Sequence, residues 1–131
     1  MPVTKFELKR PNSLIILTVK LTGPREEVEV SLALDTGCTH TVIRPGYLKL
    51  IGCDPDSGKI DRMTTASGTE IVKQVVVKEL TVLDSTVKNF RVLAQQLPPS
   101  LPIDGLIGLD VFRKLRKTIT INFAEREIVL S

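Results

Sequence analysis

Residues 28–34 read Val-Glu-Val-Ser-Leu-Ala-Leu, and the chain then turns abruptly polar at Asp35-Thr36-Gly37. Alternation puts Val28, Val30, Leu32 and Leu34 on one face, the pattern of a half-buried strand. Beyond the polar triplet, Cys38-Thr39-His40-Thr41-Val42-Ile43 becomes apolar again. A carboxylate placed between two such segments costs free energy unless donors surround it. Gly37 lets the backbone fold back so that an amide can face the carboxylate. The Thr36 hydroxyl can donate to a nearby carbonyl. The bland reading of the same triplet is a tight turn with an Asx-type hydrogen bond.

A second segment bears on the choice. Roughly seventy residues further on, the chain reads Ile103-Asp104-Gly105-Leu106-Ile107-Gly108-Leu109-Asp110. This apolar-apolar-Gly step leads into an amphipathic helix over 110–115, with Asp110 as a possible N-cap. Two short β-prone runs follow, 118–123 and 127–130.

The two segments, in this order and spacing, resemble those of the retropepsin-like aspartic proteases. The resemblance implies a closed, all-β barrel of short antiparallel strands with a flap hairpin and one short C-terminal helix. It implies an aspartic endopeptidase with Asp35, Thr36 and Gly37 as the catalytic triplet. The hairpin tip Ala66, Ser67, Gly68 and Thr69 would be the flap over a peptide or protein substrate. Thr36 would grip the opposite loop, Gly108 would pack beneath the Asp35 loop, and residues 119–130 would join a dimer sheet. Departures are plain: Cys38 stands where retroviral members place Ala and pepsin-like members Ser. Thr39 and His40 replace substrate-holding acids, and Leu109 replaces a loop-tying Arg.

Residue chemistry points to the same assembly. Peptide hydrolysis by paired carboxylates needs two acids, one acting as base toward water and one as acid toward the carbonyl. The chain has one Asp-Thr-Gly. Asp104 and Asp110 could supply a second acid, but neither is followed by Thr or Ser and then Gly. A homodimer with Asp35 from each subunit at the two-fold axis is the economical solution. Two other readings compete: a non-catalytic dimerisation or peptide-binding domain of the same fold, and an unrelated small barrel with Asp35 in a plain turn.

At 131 residues the expected organisation is one domain over 1–131. Aromatics are 4% and tryptophan is absent, so the core must rest on Leu, Ile and Val. Strands are expected at 14–21, 27–34, 41–43, 60–65, 70–77, 79–83 and 87–93, with turns at 23–26 and 84–85. One or two helical turns are expected over 45–51, closed by Gly52. Pro98-Pro99-Ser100-Leu101-Pro102 reads as an extended loop.

The lone His40 and two cysteines, Cys38 and Cys53, give neither a disulfide framework nor a metal site, and no cofactor is expected. Net charge is +3, and the basic run Arg113-Lys114-Leu115-Arg116-Lys117 fits a solvated helix face better than a nucleic-acid patch. No membrane span and no signal peptide are expected, so a cytoplasmic setting with reduced thiols is the default.

Overall fold

The computed structural model describes residues 3–6, 14–65 and 68–131, with backbone only at 61, 63 and 65. Ten strands and two short α-helices are present among them. In chain order they are β1 (Val3–Lys5), β2 (Ile16–Thr22), β3 (Glu27–Leu34), β4 (Val42–Ile43), α1 (Pro45–Leu50), β5 (Lys59–Thr65), β6 (Gly68–Val82), β7 (Ser85–Ala94), β8 (Gly105–Ile107), α2 (Leu109–Leu115), β9 (Ile119–Asn122) and β10 (Glu127–Leu130).

Six of the strands close into a barrel in the order β2-β3-β8-β4-β7-β6, and β6 returns to β2. β5 hangs on the outer edge of β6. Closure removes the exposed edges that an open sheet would present. Most pairings are antiparallel, as expected. Two are parallel: β3 with β8, and β4 with β7. The expected faces of β3 hold: Val30 and Leu32 are buried, and Val28 and Leu34 pack against the same core. Ala33 points the other way, yet is also buried, against Val42, Val72, Leu93, Leu97 and Ile103. Leu17, Val19 and Leu21 of β2 complete the inner wall.

Several boundaries differ from the expectation. The runs 70–77 and 79–83 are one strand, the 15-residue β6. Burial alternates through Val75 and Val77, then resumes out of phase at Leu80 and Val82. β7 changes phase in step, between Val87 and Phe90, beside Asn89 with φ 50°. The paired change lets β6 face β5 with one half and β2 with the other. In sequence it looks like a strand end. The turn after β6 is Leu83-Asp84, one residue earlier than expected, because Val82 pairs with Ser85. Both turn residues have positive φ, 50° and 61°, which matches the twist of a two-residue hairpin.

The helix expected from Asp110 begins at Leu109, and Gly108 is its N-cap. α1 lies where helical turns were expected, and Gly52 follows with φ 90°. β1 and β8, three residues each, had no counterpart in the sequence reading. β1, β10 and β9 form a second, three-stranded sheet in that order. Ile128 and Leu130 anchor it in the main core. No helix among the described residues is long and apolar enough to cross a membrane.

Candidate active site

Asp35 is the residue at which β3 leaves the barrel wall. Its amide donates to the Ile107 carbonyl of β8 at 3.0 Å, so the parallel β3–β8 pair carries on to the turn. Its Oδ1 accepts from the Gly37 amide at 2.9 Å. A plain Asx turn makes that bond too, so the surroundings must distinguish the readings. Asp35 lines a cleft of about 240 Å³ with Gly37, Cys38, Thr39 and His40. Val42 and Leu106 make its apolar floor, and Thr64 of β5 faces it from the hairpin. Asp35 is half-buried, and among the described residues it is the sole carboxylate lining this cleft.

The loop beneath Asp35 is locked around Thr41, which the sequence did not single out, and by Asp110 in a bracing role it did not reveal. Thr41 is fully buried, and its amide and hydroxyl donate to the two Asp110 carboxylate oxygens at 2.9 and 2.7 Å. The Gly108 amide donates to the Thr41 hydroxyl at 3.1 Å, and the Val111 amide to Asp110 Oδ1 at 3.0 Å. The Leu109 amide donates to the Cys38 carbonyl at 2.9 Å. A Cβ on Gly108 would lie 2.7 Å from that carbonyl oxygen. Gly108 therefore packs directly against the Cys38–His40 backbone, as the resemblance implied. The Thr41–Asp110 pair thus ties the Asp35 loop to the start of α2.

The aspartyl protease family profile matches residues 17–111. The chain belongs to this aspartyl protease family. Its fold is that of a retropepsin-like aspartic protease from Rickettsia conorii, with a TM-score of 0.70 over 98% of this chain and 87% of that one. Identity between the two is 15%, so the likeness is one of fold. No curated protein sequence matches the chain.

Within this aspartyl protease fold, the two alternative acids have other tasks. Asp110 holds the loop, as above. Asp104 Oδ2 accepts from the Ser31 amide at 2.7 Å and Oδ1 from the Tyr47 hydroxyl at 2.6 Å. That bond pushes the Tyr47 phenol above its ordinary pKa. Arg44 sits alongside, donating to the carbonyls of Leu97, Pro98, Leu101 and Ile103. It thereby sets the course of the proline-rich loop, which was expected to be extended but folds into a turn, with the Leu101 amide donating to the Pro98 carbonyl at 3.0 Å. Neither Asp104 nor Asp110 lines the Asp35 cleft.

Cys38, at the position next to the triplet, does not bond to Asp35. Its thiol donates to the His40 carbonyl at 2.8 Å. Burial pushes the thiol pKa up; the His40 bond offsets part of this, and the charges of Asp35 and Asp110 add to it. The thiol is therefore neutral near pH 7 and acts as a loop strut. His40 Nδ1 lies 3.0 Å from the Thr39 hydroxyl. Thr36 is exposed, and among the described residues its hydroxyl has no partner within the chain.

The hairpin named as the flap is β5 with β6, in register from Lys59↔Gln74 to Thr65↔Gly68. Ala66 and Ser67 lie outside the described residues; Gly68 and Thr69 are exposed. Gly68 has φ 132°, a conformation that side chains with a Cβ resist. Among the described residues no atom lies within 4 Å of a Cβ there, so the penalty is conformational rather than steric. Gly68→Val is expected to lower turnover about tenfold while moving Tm by only a few degrees. Unchanged turnover in peptide-cleavage assays would remove this hairpin from the reaction.

Proposed function

We propose that the protein is an aspartic endopeptidase that works as a homodimer, with Asp35 of each copy forming one acid pair. The observation that supports this best is the isolation of Asp35. It lies in a cleft between the barrel end and the hairpin, and every other nearby carboxylate is committed to structural hydrogen bonds. A lone carboxylate cannot act as base and acid at once, so a second copy supplies the other.

Two carboxylates sharing a site hold one proton between them, because both cannot ionise at close range; aspartic proteases are the standard instance of this coupling. The ionised member removes a proton from a water held between them. The protonated member donates toward the peptide carbonyl. Gly37 fixes the near oxygen of its own Asp35, which sets the direction of the other. The partnerless Thr36 hydroxyl suits a bond to the second copy's loop. Among the described residues, the outer strands of the three-stranded sheet, β1 and β9, have edges with no strand beside them, of the kind a second chain can extend.

The test is dilution. Specific activity should fall in step with dimer dissociation, since each subunit contributes half the pair. Activity followed alongside sedimentation covers both quantities in one series. Constant specific activity where only monomer sediments would exclude a shared site.

A further inference from the structure

A second cleft, of about 640 Å³, adjoins the first and shares Thr39 and His40 with it. Its other walls come from β7 and the exposed side of α2, including Arg91, Arg113 and Lys114. All three cations are exposed, and among the described residues none lies within ion-pair distance of a carboxylate. Asp110 also lines this cleft, but its oxygens already accept from Thr41 and Val111. The half-exposed Val76 and buried Phe90 supply apolar area between the charges.

The basic run over 113–117 is thus divided in use. Lys117 turns away and donates to Ser85 at 3.0 Å, whereas Arg113 and Lys114 face the cleft. A solvated helix face would scatter its charge. Here two residues of α2 and one of β7 converge on a concave surface continuous with Asp35.

We propose that this cleft is a subsite for an acidic side chain, Asp or Glu, on the flank of the same peptide that occupies the Asp35 cleft. The proposal rests on the endopeptidase reading and names the substrate class for that site. An extended peptide leaving Asp35 past Thr39 and His40 enters a region with three unpaired cations. A carboxylate there gains Coulomb energy with little desolvation, because the groups stay partly in water. The expected gain is about fivefold per carboxylate, the size typical of exposed ion pairs.

The experiment uses matched peptides carrying Glu, Gln or Lys at each flanking position in turn. Cleavage is measured with the intact protein and binding with Asp35→Asn. The proposal expects Glu to be favoured at one flanking position, in KM and in binding alike, with the preference fading at high salt. The double variant Arg113→Glu with Lys114→Glu should reverse the ranking so that Lys outranks Glu. Lys49→Glu, in the last turn of α1 and away from the cleft, should leave the ranking as it was. Circular dichroism confirms folding for each. Cleavage without any Glu preference would overturn the subsite and leave the protease reading standing. Glu-selective binding with no turnover would support the cleft and sink the protease reading. Absence of selectivity in both assays would overturn the proposal, as would a ranking that Lys49→Glu shifts equally.

Discussion

Asp35→Asn is expected to reduce peptide hydrolysis by at least about a thousandfold, within the range lost when an acid–base group is removed. Asn keeps an oxygen to accept from the Gly37 amide, so the turn survives. What it cannot do is take a proton from water. Tm should therefore stay within a few degrees of the parent, and the proposed dimer should persist. The contrast is Asp110→Ala, which strips the partners from a buried threonine and two amides. That change should cost about 2–4 kcal/mol of stability, since buried donors are left unpaired. Turnover on an unstructured protein substrate, beside thermal melts of both variants, separates the two roles. Substantial activity in Asp35→Asn would remove it from the chemistry.

Gly105→Ala is expected to have the largest effect on folding, about 3–5 kcal/mol, enough to deplete the soluble protein. Gly105 opens β8, which is hydrogen-bonded to β3 on one side and β4 on the other. An added Cβ would overlap the Val42 carbonyl oxygen and sit 3.1 Å from both Ile43 Cα and Leu32 Cδ2. Two of these three are backbone atoms, which cannot rotate aside, so the barrel would have to open between β4 and β8. Gly46, in α1, is the control: nothing lies within 4 Å of its Cβ position. Gly46→Ala should be neutral or stabilise by about 0.5–1 kcal/mol, because Ala favours the helix. Urea denaturation of both distinguishes steric exclusion from a general intolerance of glycine loss. Equal stability of the two variants would contradict the packing argument.

The parts of the fold that could be seen in the sequence are those with long, uninterrupted patterns. Residues 27–34 alternate cleanly and form β3 with those limits. The Asp35 loop, the hairpin of β5 and β6, and α2 were legible because a turn residue or helical spacing marks each. β8 was hidden because three residues carry no period, and Gly105 within it and Gly108 just after it look like loop punctuation. β1 was missed for the same reason. β6 was split because its phase change at Lys78 depends on a partner strand 11 residues away, at Asn89. The roles of Asp104 and Asp110 were equally invisible. A carboxylate that braces a loop and one free in a cleft have the same letter; their difference lies in donors from residues 31, 41 and 47. The direction of the Cys38 thiol was open in the sequence, since its partner, the His40 carbonyl, is a backbone group with no letter of its own.

The continuity of β6 has a mechanical meaning. Its last residues, Glu79 to Val82, are clamped on both sides by β2 and β7. Further back, the stretch from Gly68 to Val72 is paired on one side only, with β5. Among the described residues the hairpin is thus a springboard: built into the wall at its root and overhanging it beyond Val72, with β5 as its ladder partner there. Lifting it bends two strands along their length instead of swinging them about a pivot. Its compliance is then a property of overhang and twist, shared among many residues.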